Sequence, residues 1–545
     1  MKLLVVIPAR GGSKRIPRKN VRLMCGLPLV LYSVYNAASL SGEYDCDVVV
    51  STDDEELEYI VQNECTMVIR RGEELSGDEV TLDPVIYDAL IKAEEAKGCK
   101  YDVVITMQAT SPTLKRETLS AAVRFFLEGG FDTVISVVNK PHLSWKKDEE
   151  GNIVKNYDER LNSQLLPANF LETGGFVISG RDSVTERSRI GEKISVFEVS
   201  PAEAVDIDSD DDWIAAEAIL KRRKILFRLV GQRVLGTGHI YRCLSLAARL
   251  IGNEVLLVTD EASDIGIEKL RESNFPFEIV KDEGAFEEIL KRFRPDVVVN
   301  DVLNTSREFV RMERKYTSRI VNFEDEGEGA AEADAVINAL YEHHINKLSN
   351  VYEGPDYYFI RDEFLIEQPG EFSEKCRNVL ILFGGSDPSD LTGRLYEICQ
   401  VLHDKKKEAA FHFLTGIGYA HKDKIVSIPS KNIFVHHDAK RVSRYMKEAD
   451  LAITSQGRTI YELASMGVPA IVLAQNEREA EHVFAGIRNG FINLGIGSRT
   501  DAITIIQTIQ WLMNTPNVRR EMRNIELTKE FARGQKRVID LILGD

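Results

Sequence analysis

The run Leu3-Leu-Val-Val-Ile-Pro-Ala-Arg-Gly-Gly-Ser-Lys-Arg-Ile-Pro-Arg-Lys-Asn20 sets an apolar strand directly before a basic, glycine-containing loop. Residues 3–7 are continuously apolar, as expected of a strand buried on both faces, and Pro8 closes them. Similar runs at 48–51, 103–107 and 133–138 alternate with helical periodicity such as that of 118–127. This alternation predicts βαβ units, an α/β class, and an amino-terminal Rossmann-like domain with a mostly parallel sheet. Ligands then gather beyond the carboxyl ends of the strands, where this loop lies.

Gly11 and Gly12 let the backbone approach a ligand closely, and Arg10, Lys14, Arg15, Arg18 and Lys19 supply positive charge. A triphosphate fits that loop. The spacing is neither that of a P-loop nor that of a dinucleotide fingerprint. The surrounding chain is acidic: 69 basic against 86 acidic residues give a net charge of −17. Such a balance argues against a nucleic-acid partner. Far along the chain, Ala204-Val-Asp-Ile-Asp-Ser-Asp-Asp-Asp-Trp213 places Asp206 and Asp208 two apart. On an extended segment both carboxylates point to one side and can share a hard cation such as Mg²⁺. Asp210, Asp211 and Asp212 read as the start of a helix over 213–220.

At 545 residues, with 43% hydrophobic and 28% charged residues, the chain predicts folded protein of about three lobes. The domains expected are 1–224, 225–372 and 373–545, the first boundary falling near Lys221-Arg-Arg-Lys224 and the second near Glu367-Gln-Pro-Gly370. A second strand series opens at 225–230, runs into Gly236-Thr-Gly-His-Ile-Tyr-Arg242, and is followed by an amphipathic helix. His239 therefore starts that helix, whose positive end favours the neutral ring as a proton acceptor. The third series carries Phe383-Gly-Gly-Ser-Asp387, with Gly385 and Ser386, and Gly457-Arg-Thr-Ile-Tyr-Glu462. There Gly457 and Thr459 offer donors to a diphosphate at a helix start, and Glu462 can accept from ribose hydroxyls.

The opening run, with Gly26-Leu-Pro-Leu29, Ser51-Thr-Asp-Asp54, Gln108-Ala-Thr-Ser-Pro112 and Asp206-Ile-Asp208, resembles the acylneuraminate cytidylyltransferases, the CMP-sialic acid synthetases, over about residues 1–222. The resemblance implies transfer of CMP from CTP to a nine-carbon 2-keto acid sugar (a nonulosonic acid), with release of pyrophosphate. It implies CTP contacts from Arg10, Ser13, Lys14, Lys19 and Asn20, with Arg10 and Lys14 catalytic. It places Arg71 and Thr81 on the cytosine side, Gln108 on the ribose or sugar, and Lys140, Glu172 and Gly175 on the acid sugar. Asp206 and Asp208 hold Mg²⁺, and a homodimer forms through this domain. The sequence departs from the family at Gly72 and Ala109.

Residues 226–545 resemble the two-lobed GT-B group, and within it the UDP-sugar hydrolases of pseudaminic acid synthesis. The carrying pieces are 236–242, 383–387, 457–462 and Gly467-Val-Pro469. That resemblance implies UDP on the last lobe and water attacking the sugar with His239 as general base. Asp301-Val-Leu303 and Gln475-Asn-Glu-Arg478 differ from the family's usual residues. A glycosyltransferase, or a non-catalytic module sensing a UDP-sugar, remains open as an alternative.

The remaining candidates read blandly. His343-His344 and His436-His437 lack a third ligand at metal spacing and read as loop or surface residues. Trp145 and Trp213 read as packing residues. Seven scattered cysteines without a C-x-x-C pair, and an amino end too short in apolar length for a signal or a membrane span, predict a reducing, cytoplasmic setting without a membrane partner.

Overall fold

Residues 1–222 form a seven-stranded sheet in the order Ile194–Glu198, Thr133–Asn139, Phe170–Gly180, Val103–Thr106, Lys2–Pro8, Asp45–Thr52, Met67–Arg70. In this computed structural model the described residues are all but 78, 232–237, 343–347, 404–407 and 545. Every pairing in the sheet is parallel except those of Phe170–Gly180, which runs antiparallel to both neighbours. The predicted strand 3–7 is the buried centre: Leu3 to Ile7 are all fully buried, because helices cover both faces. The α/β, mostly parallel reading holds.

Residues 223–545 form the second unit, built on two parallel sheets. The first has the order Phe277–Val280, Glu254–Asp260, Lys224–Leu229, Val297–Asp301, Arg319–Phe323, Ala335–Asn338, Val351–Glu353. The second has the order Ile433–His437, Ala410–Thr415, Asn378–Leu382, Leu451–Thr454, Ala470–Ala474, Phe491–Ile496. Two parallel sheets of this kind give the expected two-lobed GT-B-type architecture.

The last helix, Ala532–Leu543, does not stay with the lobe it follows. Its Val538 and Ile542 join the core of the first lobe beside Ile225 and Phe227, and Arg319 donates to the carbonyl of Leu541 at 2.7 Å. The expected lobe 373–545 thus gives up its closing helix, which carries a strongly apolar stripe that the first sheet buries. Among the described residues no helix is long and apolar enough to cross a membrane.

Candidate functional sites

In the first unit the parallel strands Lys2–Pro8 and Val103–Thr106 end side by side, so the glycine loop and the segment from Gln108 face one cavity of about 470 Å3. Arg10, Ser13, Lys14, Lys19, Asn20, Arg71, Gln108 and Asp208 line it, together with Arg15. Asn20 is buried, donates from its Nδ2 to the Arg10 carbonyl at 2.9 Å, and keeps an unpartnered Oδ1. Arg71 hydrogen-bonds Ser51 through its side-chain and main-chain oxygens, and burial lowers its guanidinium from the ordinary value.

One of the five expected cations is turned away. Arg18, at a left-handed φ of 58°, pairs with Asp54 and Glu56. Those acids open the helix Glu55–Val61, whose start Asp54 caps, so they compete for Arg18 locally. The Gly11 amide is likewise committed, donating to Asp53 at 2.9 Å; a Cβ there would collide with Asp54. Gly12 is open, with no atom within 4 Å of where a Cβ would stand. Thr81, just before the helix Leu82–Lys97, is exposed beside the cavity residue Leu82.

The carboxylate pair arrives from the other end of the unit. Ile207 is fully buried and its amide donates to the Thr110 carbonyl at 2.9 Å, which pins the segment beside the loop. Asp206 is half-buried with an unpartnered Oδ1, and burial pushes its carboxyl above the usual range, Thr110 opposing. Asp208 is more exposed and meets Arg15 at 3.1 Å and Lys19 at 3.5 Å. The orphaned oxygen and the two-carboxylate donor set fit a hard divalent cation that completes its shell with phosphate and water. No group of three His, Cys, Asp or Glu side chains fit for a metal occurs among the described residues. The helix Asp210–Leu220 starts three residues before the expected 213, so that the three aspartates form its first turn and Ser209 is the cap, in a capping box with Asp212.

The acid-sugar candidates are only partly brought together. The Gln108 amide donates to the Gly174 carbonyl at 3.1 Å, placing Gly174 against Asp206 and Gly175 against Ser136. Glu172, near the start of the strand Phe170–Gly180, and Lys140, just past the strand Thr133–Asn139, are exposed and do not line the cavity.

The second unit holds a larger cavity, about 750 Å3, between its two lobes. His239, Gly385, Ser386, Gly457, Thr459 and Glu462 all line it, so every candidate of this half converges. Gly236, Thr237 and His343-His344 lie outside the described residues. His239 opens the helix Gly238–Arg249, and its Nδ1 contacts Asp301 Oδ1. A carboxylate on Nδ1 fixes the ring and its tautomer and leaves Nε2 to accept a proton. Arg242, one turn on, grips the same carboxylate through Nε at 2.7 Å and Nη2 at 2.6 Å. Burial alone would raise the Asp301 carboxyl, but Arg242 and His239 hold it well below the carboxylate range.

The two glycine turns of the last lobe differ. The amides of Leu391 and Thr392 donate to Asp387 at 3.1 and 2.7 Å, and Gln475 donates to it at 2.7 Å. That helix start already has its anion. The helix Thr459–Met466 has no side-chain cap, so its amides are the ones open to a phosphate. Glu462 is paired with Arg361 at 2.7 Å. Asp301, Arg242, Glu324, Arg361 and Arg458 were not among the expected site residues; the one available signal was Asp301 at the carboxyl end of a central strand. The second histidine pair lies at the end of the strand Ile433–His437: His437 is exposed, as expected, and bonds Thr415, whereas His436 is half-buried against His412 and Tyr445. Trp145 is exposed, contrary to the packing reading, because its hairpin Trp145–Lys147/Ile153–Lys155 stands off the main sheet. Trp213 is partly buried and packs as expected.

Comparison with known proteins separates the two units. Residues 4–165 match the cytidylyltransferase family, and residues 379–486 match the glycosyltransferase family 28 C-terminal domain. The pseudaminic acid cytidylyltransferase of Campylobacter jejuni is 32% identical over 228 residues, covering 41% of this chain and 97% of that protein. The N-acylneuraminate cytidylyltransferase of Oncorhynchus mykiss is 36% identical over 222 residues, 39% of this chain and 49% of the other. A CMP-N,N'-diacetyllegionaminic acid synthase of Legionella pneumophila is 30% identical over 228 residues, 41% and 97% respectively. The chain spans about half the length of several curated relatives it matches, the trout protein among them.

Proposed function

The chain belongs, through its amino-terminal unit, to the cytidylyltransferase family, and we propose that this unit transfers CMP from CTP to the anomeric hydroxyl of a nonulosonic acid. The carrying observation is the cavity where Arg10, Lys14 and Lys19 face Asp208, with the unpartnered Asp206 oxygen close by. The hydroxyl oxygen bonds to the α-phosphorus as the bond to the β-phosphate oxygen breaks, so catalysis rests on positioning and charge neutralisation. Arg10 and Lys14 meet the departing pyrophosphate, Ser13 and Lys19 the remaining phosphates. Asn20, through its unpartnered oxygen, and Arg71, with Thr81 at the rim, meet the nucleoside. Gln108 faces the acid sugar from the cavity wall, and Glu172 and Gly175 on the bulged strand Phe170–Gly180, with Lys140, contact it outside the cavity proper. Mg²⁺ held by Asp206 and Asp208 would neutralise phosphate charge when bound. Pyrophosphate release from CTP with a panel of nonulosonic acids tests this reading; a protein inert with every acid and Mg²⁺ would refute it.

The second unit, in the same reading, acts on a UDP-linked deoxy amino sugar. The diphosphate sits on the open start of Thr459–Met466, Glu462 exchanges Arg361 for ribose hydroxyls, and His239 Nε2 takes a proton from water attacking the anomeric carbon. The His239–Asp301 pairing carries that reading. The match to a glycosyltransferase family 28 domain favours a second one, in which a sugar hydroxyl replaces water. Incubation with UDP-sugars, with and without acceptors, separates them: free sugar supports hydrolysis, a glycoside supports transfer.

The exposed large apolar side chains of the first unit, Trp145, Ile153, Phe170 and Leu171 among them, are consistent with the homodimer expected of it. A cytoplasmic setting suits both nucleotide substrates.

A further inference from the structure

Glu324 follows the strand Arg319–Phe323 in a left-handed conformation, φ 52°. Residues other than glycine, asparagine and aspartate seldom take it, and it persists where surroundings impose it. The side chain is buried, and its Oε1 accepts from two guanidinium groups: Arg242, and Arg458 at 2.9 Å. Its main-chain carbonyl accepts from Arg478 at 3.3 Å. Burial would raise this carboxyl, but Arg242 and Arg458 hold it at about 2.

These partners come from different lobes. Arg242 lies on the histidine helix and grips Asp301, which holds His239. Arg458 immediately precedes the open helix start Thr459–Met466, and a Cβ on Gly238 would stand 3.1 Å from its Cδ. One buried carboxylate therefore ties the start of the helix that carries the base to the start of the helix that is open to phosphate. Removing its charge would leave the buried Arg242 facing the partly buried Arg458 with no carboxylate between them, a costly arrangement that pushes the lobes apart.

We propose that Glu324 is a positioning residue that locks Arg458 against Arg242, so that a nucleotide sugar seated on one lobe meets His239, carried by the other, in a fixed frame. This inference rests on the nucleotide-sugar reading of the second unit. The experiment compares wild type, Glu324→Gln and Glu324→Asp in the full chain. It measures kcat and KM with a UDP-sugar, UDP affinity by calorimetry, and hydrogen exchange of the Gly238–Arg249 helix without ligand. Glu324→Gln is expected to lower kcat by about tenfold or more, because misplacement of reacting groups is costly, while UDP affinity stays within about twofold. The helix amides should exchange faster, and Glu324→Asp should recover part of kcat and of the protection. Unchanged helix protection in Glu324→Gln, or a wild-type kcat, would overturn the proposal. A wild type that turns over no UDP-sugar would retire the proposed reaction, while the exchange comparison would still decide the latch.

Discussion

Gly174 stands directly against Asp206: a Cβ on the glycine would lie 3.1 Å from the carboxylate carbon and 2.7 Å from Ser111 Oγ. Gly174→Ala should therefore displace the aspartate without touching the basic loop. CMP transfer is expected to fall by about tenfold or more, since catalysis here is positioning, with CTP affinity changed less. Steady-state pyrophosphate release and CTP titration check both. Full activity in this variant would show that the carboxylate position is not critical.

His239→Ala and Asp301→Asn should each lower UDP release by about 100-fold, the scale of a lost general base or of its orienting carboxylate. CMP transfer by the same proteins should be unchanged. Equal loss of both activities would indicate unfolding instead, and no loss of UDP release would remove the base from His239.

Asp387→Ala should destabilise the chain by about 1 kcal/mol, the usual cost of a lost helix cap, and leave UDP affinity nearly as it was. The reason is that Asp387, not a phosphate, already fills the start of Leu391–His403. Thermal unfolding and calorimetry are the checks. A variant that binds UDP much more weakly would place the phosphates on this turn after all.

Glu313 predicts a loss of stability as pH rises from the ordinary carboxylate range to about pH 8. Burial pushes its carboxyl up to about 8, the Asn300 hydrogen bond and Arg228 opposing. Between the ordinary carboxylate value and about pH 8 the folded chain holds a proton that the unfolded chain has lost. Its contribution is complete at acid pH and fades as pH rises through that window, by at most about 1.4 kcal/mol per pH unit. Glu313→Gln should flatten this limb of a melting-temperature profile. A profile identical to wild type from pH 5 to about pH 9 would contradict the assignment.

Much of this architecture is legible in the chain itself, because buried parallel strands such as Lys2–Pro8 must be written as unbroken apolar runs. The helix start at His239 and both glycine turns of the last lobe are legible for the same local reasons. Partnerships across long separations are not. Arg18 reads as a phosphate cation until its neighbours Asp54 and Glu56 are known, and Asp301 lies 62 residues from the histidine it holds. The return of Ala532–Leu543 to the first lobe depends on which apolar stripe meets which open sheet face, and no local pattern records that. Asp387 shows a further limit: a glycine turn before a helix signals an anion site, and only the fold reveals that the chain supplies the anion itself.

If nucleotide phosphates are held at two independent places, calorimetric titration of the intact chain will show it. CTP with Mg²⁺ is titrated alone and at saturating UDP, and then the order is reversed. One site for each nucleotide is expected, neither weakened by the other, with Arg10→Ala abolishing only CTP binding. Competition between CTP and UDP for a single site, or binding of neither, would contradict the two-site arrangement.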